Sequence, residues 1–374
     1  MSYVSRFITE RFEKSLFKGK VIILYGPRQV GKTTFIRQFA AKYPQMVYLN
    51  ADIPEISTQL TPRSPERIKE FIGSTDFVVI DEAQKVADIG TTLKILADRY
   101  LQMQVVATGS SSFDLANGIV EPLTGRHIDF MLFPFLFEEL QIIYTDQPTQ
   151  IAMLPERILY GSYPEVIFPP LGQDRTSVIR RIAQDYSMKD ILSFHQIRKA
   201  DKLVLLLKSL AYQIGSEVSY NELANALGIS RQTIEQYITI LEQAFIIFRL
   251  EPYVRNKRMG LRRTRKIYFW DTGLRNALIN NFEPLDVRPD KGALFENYIV
   301  SELKKKAQTK ETWENFYFWR AYDGEEIDLL IEKDGKLQGF ECKWKYKDEV
   351  IKKSPEAPLP YCSVISSENY FRFF

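Results

Sequence analysis

Gly26, Gly31, Lys32 and Thr33 stand at the spacing G-x-x-x-x-G-K-[ST] within GPRQVGKTT, residues 26–34. Pro27, Arg28, Gln29 and Val30 fill the loop between the two glycines, and Thr34 follows Thr33. An apolar run, VIILY (21–25), precedes the loop, and a helical pattern, FIRQFAAKY, follows it. Strand, Gly-rich loop and helix in that order are the context of a phosphate cradle. The glycines let backbone N–H groups wrap the phosphates, and the helix N-terminus adds the positive end of its dipole. Lys32 is placed to reach β- and γ-phosphates, and the Thr33 hydroxyl to meet Mg²⁺. The pattern predicts ATP and Mg²⁺ as cofactors, with residues 26–34 as the binding loop.

Such a loop expects a second strand ending in an acid. FVVIDEAQK supplies Asp81 for the Mg²⁺ shell and Glu82 beside it. A second acid there polarises the attacking water in an ATPase; the rival reading is that Glu82 only caps the next turn. QVVATGSSS ends a further strand in Thr108, Ser110 and Ser111. These hydroxyls are either γ-phosphate sensors or a polar turn. LTGR sets Arg126 before the next strand, as a phosphate contact from within the chain, a contact from a neighbouring subunit in a homo-oligomer, or a surface arginine.

A third group of charges lies far downstream, in IDLLIEKDGKLQGFECKWK (327–345). Asp334-Gly335 is a hairpin signal between two apolar strands. Glu341 and Lys343 are two residues apart and share a strand face, with Asp328 on the neighbouring strand. Glu296 lies on the helical pattern GALFENYIVSELKKK (292–306). Carboxylates gathered at one point repel unless a cation sits among them. Mg²⁺ suits such oxygen donors, and Lys343 would then act on a metal-bound water. The rival reading is a buried carboxylate–lysine pair that fixes strand register.

These residues need elements to hold them. Apolar runs at 21–25, 46–50, 77–80, 104–108 and 128–133 alternate with helical patterns, predicting a parallel sheet covered on both faces. Residues 142–175, rich in Pro, Gln and Gly, lead out of that domain, and 176–200 read as helical. DKLVLLLKSLAYQIG predicts a helix with Gly215 as its C-cap. Ser219 and Glu222 make a capping box, Gly228 stops that helix, and Ser230 caps the next. Two helices joined by GIS form a helix-turn-helix, with FIIFRLEPYV (245–254) as a wing strand. Ser230, Arg231, Gln232, Thr233 and Gln236 would face a DNA groove. Only Arg231 among them is basic, but RNKRMGLRRTRK (255–266) carries seven basic residues and no acid. A protein-docking module with a solvated basic loop is the rival reading.

Composition sets the frame. The chain has 374 residues, enough for two or three domains. It is 45% hydrophobic and 26% charged, ordinary for a soluble protein that buries real cores. A net charge of +3 permits nucleic-acid binding without arguing for it. Cys342 and Cys362 form no disulfide framework and no CxxC metal site. His127 and His195 are too few for a histidine-based metal or triad site. No apolar run reaches the length of a membrane span, and MSYVSRFITERFEK has no signal-peptide core. A reducing cytoplasm fits these features.

Taken together, GPRQVGKTT, VVIDEAQK, ATGSSS, LTGRH followed by LFPFLFEEL, GSYPEV, IYFWDTGL, GALFENYIVSEL, FWRAYDGEEIDLL and GFECK resemble a family of prokaryotic AAA-type ATPases with a C-terminal domain of unknown function. The resemblance covers nearly the whole chain. It implies an α/β architecture: a P-loop ATPase domain at 1–145, a helical linker or lid at 146–200, a winged helix-turn-helix at 201–255, and a PD-(D/E)XK nuclease-like domain at 256–374. It places Glu296, Asp328, Glu341 and Lys343 on the nuclease signature, with the carboxylates as metal ligands and Lys343 as catalytic. It leaves Arg126 without a fixed role. The expected function is an Mg-dependent ATPase that couples nucleotide state to a DNA-associated C-terminal half. The alternative is a nucleotide-driven switch that binds another protein, with the nuclease-like domain as an inactive scaffold.

Overall fold

The computed structural model describes residues 4–61, 64–110, 123–185, 199–254 and 265–374. Ser111, His195 and positions 255–264 of the basic run lie outside them. The chain divides into two compact units, one of residues 5–134 and one of residues 135–374 together with the N-terminal four.

The first unit is built on five short strands: β1 (Val21–Tyr25), β2 (Val47–Asn50), β3 (Phe77–Asp81), β4 (Gln104–Thr108) and β5 (His127–Met131). All pair in parallel, in the order β2-β3-β4-β1-β5. β1, β3 and β4 are buried along their whole length, as strands covered on both faces must be. Val21, Ile23, Val78, Ile80 and Val105 pack with Leu93 and Leu96 of helix Ile89–Arg99 in one core. Because β4 lies between β1 and β3, the Thr108 end of β4 comes out beside both the loop after β1 and the acid that ends β3.

The second unit carries an eight-stranded sheet. Its strands are β6 (Glu217–Val218), β7 (Ile247–Pro252), β8 (Arg265–Phe269), β9 (Asn315–Arg320), β10 (Glu326–Lys333), β11 (Lys336–Cys342), β12 (Val350–Lys352) and β13 (Tyr361–Ile365). The order is β12-β13-β11-β10-β9-β7-β8-β6. Parallel pairing of β7 with β9, Glu251 opposite Tyr317, joins the β6–β8 portion to the rest. One continuous sheet therefore runs through the sequence position, near 255, at which a domain boundary was expected.

Local signals are realised here with small shifts. Helices Tyr220–Leu227 and Arg231–Gln243 are capped by Ser219 and Ser230, whose hydroxyls accept from the N–H groups of Glu222 and Thr233. Gly228 ends the first of them at φ +64°. Helix Ala200–Tyr212 stops three residues before Gly215. At φ +73°, Gly215 instead turns the chain close over helix Lys291–Lys310, where an added Cβ would come within 3.3 Å of Ala293. Asp334 and Gly335 both adopt positive φ, as a tight hairpin turn requires, and Lys333 pairs with Lys336 across it.

GSYPEV and IYFWDTGL, which had no assigned role, meet inside this unit. The buried Asp271 carboxylate accepts the N–H groups of Ser162 (2.8 Å) and Leu274 (3.0 Å), so it caps helix Thr272–Leu278 and ties it to the 161–166 turn. The Asn276 amide donates to Ile158 O and Leu159 O, each at 3.0 Å. A Cβ on Gly273 would lie 2.0 Å from the Tyr160 carbonyl, so only glycine permits this approach.

Candidate nucleotide site and the downstream carboxylate cluster

The loop between β1 and helix Lys32–Arg37 turns through three positive-φ residues: Gly26 at +148°, Gln29 at +61° and Gly31 at +92°. A Cβ on Gly26 would sit 2.0 Å from the Leu132 carbonyl at the end of β5, so the first glycine is demanded by packing as well as by phosphate approach. Pro27, Arg28, Val30 and Thr34 complete the turn and the helix start. Lys32 is 6% exposed, and its Nζ donates to Gly26 O and Pro27 O, each at 2.8 Å. The ammonium is thus held over the loop by carbonyls that phosphate oxygens can replace.

Asp81 is the hub of the site. It is 4% exposed, and three hydroxyls converge on it. Thr33 Oγ1 donates to Oδ2 at 2.8 Å, Tyr48 OH donates to the same oxygen, and Thr108 Oγ1 donates to Oδ1. An all-oxygen set of a carboxylate and a threonine hydroxyl beside a glycine cradle suits a hard cation such as Mg²⁺ bound with phosphates. Glu82 takes a left-handed conformation, φ +53°. Such strain on a non-glycine residue clusters at functional positions. Its carboxylate accepts the Gln84 amide, which also reaches Ser110 Oγ at 3.4 Å. Glu82 is therefore aimed by Gln84 toward the end of β4. Thr108 and Ser110 are both buried there. The first role of Thr108 is to hold Asp81, which sequence spacing did not suggest.

Arg126 is the exception. It precedes β5, and its carbonyl accepts from Val21 N at 2.9 Å, at the start of β1. The phosphate loop follows the other end of β1. Five residues of strand, about 16 Å, separate the two, so parallel pairing rules out a phosphate contact from Arg126 within its own chain. The guanidinium instead pairs with Asp98 at 2.6 Å on the half-exposed surface.

In the second unit the four signature residues do gather, but with partners the sequence did not reveal. Continuing the register in which Leu329 faces Phe340 sets Asp328 opposite Glu341. Asp328 Oδ2 accepts Cys342 N at 2.8 Å and lies 3.6 Å from Lys343 Nζ. Glu341 is claimed at both oxygens, by Lys343 at 2.8 Å and Lys353 at 2.5 Å. Glu296 accepts from Lys266 at 3.0 Å and Tyr268 OH at 2.5 Å. Lys266 and Lys353 are nearly buried. Three carboxylates are thus met by three lysines, and among the described residues no group of three or more His, Cys, Asp or Glu side chains is arranged to hold a metal ion. As arranged, these donors do not fit a divalent cation.

The electrostatics follow. Burial raises Glu341, and Asp328 opposite raises it further, against the pull of Lys343 and Lys353. Burial lowers the Lys343 ammonium, yet Asp328 and Glu341 outweigh it and leave the group above its ordinary value. Burial, then Asp328, push Glu296 from near 4.5 up to about 7, against Lys266 and Tyr268. A carboxyl raised on folding stabilises the protein below its unfolded value and loses that contribution as pH rises through the folded one. The stability difference between wild type and Glu296→Gln should therefore shift against wild type by about 2 to 3 kcal/mol between pH 5 and 8. Urea melts of both proteins across that range check this; parallel curves would contradict it.

One expectation needs correction here. Lys266 was grouped with a solvated basic run, but it is 1% exposed and bound to Glu296. Its neighbour Arg265 is paired with Glu251 at 2.8 Å. The described end of that run is committed inside the fold, because alternate residues of β8 point into the sheet's covered face. Arg231, the one base on the exposed start of helix Arg231–Gln243, pairs with Glu235 at 3.0 Å. Among the described residues no helix is long and apolar enough to cross a membrane.

Three segments of the chain match known families. Residues 18–141 match the AAA domain family, 151–285 a domain of unknown function termed DUF8612, and 291–358 another termed DUF4143. An uncharacterized protein of Mycobacterium tuberculosis is 28% identical over 337 residues, spanning 89% of this chain and 72% of its own. An uncharacterized protein of Methanocaldococcus jannaschii is 24% identical over 352 residues, spanning 89% and 76%. Among solved structures, a Walker-type ATPase of Pyrococcus abyssi aligns at 16% identity and a TM-score of 0.48, over 74% of this chain and 96% of its own. The glycine cradle, the buried lysine and the hydroxyl-ringed Asp81 fall within the matched segment, and residues 18–141 match an AAA-type domain.

Proposed function

We propose that this chain is an Mg-dependent ATPase of the cytoplasm whose nucleotide state governs what its second unit binds. The observation that carries the reading is the convergence of Lys32, Thr33, Thr108 and Asp81 at the C-terminal ends of the central strands. Lys32 would leave its two loop carbonyls for the β- and γ-phosphates. Thr33 and Asp81 would hold the Mg²⁺ shell, and the ion would neutralise charge on the phosphates. Glu82, steadied by Gln84, would orient the attacking water.

For the second unit we favour a DNA-binding platform over a nuclease. Support for DNA comes from the two capped helices at 220–243, followed by the antiparallel pair β7 and β8 as a wing, and from the charge of the 255–264 segment. Glu296, Asp328, Glu341 and Lys343 keep the nuclease-like pattern, but lysine pairing of the carboxylates speaks for a retained scaffold. The Arg231–Glu235 pair favours a second reading, in which the same helices dock a protein and the ATPase works as a switch.

Labelled linear, single-stranded and branched DNA, offered with and without ATP in Mg²⁺ or Mn²⁺, separates these readings. A DNA platform should bind without cutting, and its affinity should fall by about a thousandfold between 50 and 200 mM salt. Cutting by wild type that Lys343→Ala loses would restore the nuclease. Salt-insensitive or undetectable binding would favour the protein switch.

A further inference from the structure

Tyr48 lies on β2, outside the loop and strand motifs, yet its phenol reaches the hub of the nucleotide site. It donates to Asp81 Oδ2, the oxygen that Thr33 Oγ1 also contacts at 2.8 Å. Parallel pairing of β2 with β3 makes this possible: Tyr48 faces Val79 and Asn50 faces Asp81, so the phenol leans along the strand toward the end of β3. The Arg37 guanidinium lies 5.4 Å over the Tyr48 ring, from the helix that Lys32 and Thr33 begin.

We propose that Tyr48 is a positioning residue for magnesium: its O–H, with that of Thr108 on the opposite oxygen, fixes the Asp81 carboxylate in the orientation that the Thr33–Mg²⁺ shell needs. This rests on the nucleotide-site reading above. With both hydroxyls in place, the carboxylate is clamped from β2 and from β4 and cannot swing when Thr33 turns its lone pair toward a cation. Partners one step behind a metal's own ligands commonly govern affinity in this way, by tenfold or more. Lys32 Nζ is bonded to Gly26 O and Pro27 O, on the loop rather than on Asp81, so the phosphate grip itself should not depend on Tyr48.

The test is a fluorescent-ATP titration of Tyr48→Phe, which keeps the ring and removes only the hydroxyl. In EDTA, nucleotide affinity should match wild type. With nucleotide held constant and Mg²⁺ varied, half-saturation should need about tenfold more Mg²⁺. Thr108→Val should shift the same curve in the same direction. A Tyr48→Phe protein with lowered thermal stability but an unchanged Mg²⁺ curve would overturn the proposal and leave Tyr48 a packing residue. Lys32→Ala separates this from the parent reading. If Lys32→Ala binds nucleotide like wild type in EDTA and in Mg²⁺, the nucleotide site itself is wrong. If it loses binding in both while Tyr48→Phe is indifferent to Mg²⁺, only the role of Tyr48 fails.

Discussion

Glu82→Gln should bind Mg-ATP as wild type does and hydrolyse it at least about a hundredfold more slowly, while Lys32→Ala should lose roughly a hundredfold in nucleotide affinity. The two effects are separate because the side chains are. Lys32 is held at the loop by Gly26 O and Pro27 O and contributes charge-assisted bonds to the phosphates. Such bonds are each worth about 1.5 to 3 kcal/mol, and a hundredfold corresponds to about 3 kcal/mol. Glu82 follows Asp81 in a left-handed conformation, and its glutamine replacement can still accept the Gln84 amide. What the replacement lacks is the negative charge that polarises water. Equilibrium binding of labelled ATP and steady-state phosphate release measure the two properties independently. Wild-type turnover in both variants would refute the site.

Asp271→Ala should lower the melting temperature of the second unit by roughly 6 to 12 °C. Its carboxylate is the acceptor for two backbone N–H groups, those of Ser162 and Leu274. Alanine leaves both without that acceptor, one of them the N-cap bond of helix Thr272–Leu278, each a loss of about 1 to 2 kcal/mol and together about 3 kcal/mol. For a unit of this size each kcal/mol moves the midpoint by about 2 to 4 °C. Part of the loss is offset, since burial already holds the Asp271 carboxyl above its ordinary value. Gly273→Ala should act in the same direction, because its new Cβ would meet the Tyr160 carbonyl at 2.0 Å. Calorimetry of the intact chain reads both. An unchanged transition would mean that GSYPEV and DTGL do not form the junction described.

The nucleotide site was legible in the sequence because its parts are local. A glycine loop, a lysine and a threonine occupy nine consecutive residues, and the strand–loop–helix context is written on either side. The Asp81–Glu82 pair ends an apolar run and needs no long-range information to be noticed. The helix caps at Ser219, Gly228 and Ser230 and the Asp334-Gly335 hairpin are equally local, and they appear where their residue types predict.

The roles that went unread all depend on residues brought together across the sheet. Thr108 read as either a phosphate sensor or part of a polar turn, and β4, inserted between β1 and β3, adds its bond to Asp81. Tyr48 gave no signal inside MVYLN, since an aromatic residue in an apolar strand is ordinary. Arg126 follows a motif that suggests phosphate, yet parallel strand direction places it at the far edge from the loop.

The downstream cluster shows the same limit. Hairpin register and a strand's two-residue period suggested that Asp328, Glu341 and Lys343 would share one place, and the family resemblance added Glu296 from its helix. Only the tertiary structure decided what neutralises them. Lys266 arrives from β8 and Lys353 follows β12, and both are distant in sequence and buried against the carboxylates. Charge compensation is a property of space, since a buried carboxylate takes whichever cation the fold brings within about 3 Å. For this protein, the glycine loop and the acid that ends β3 were therefore legible in the sequence alone, while the partners that orient Asp81 and the lysines that pair with the downstream carboxylates are settled by strand order and packing.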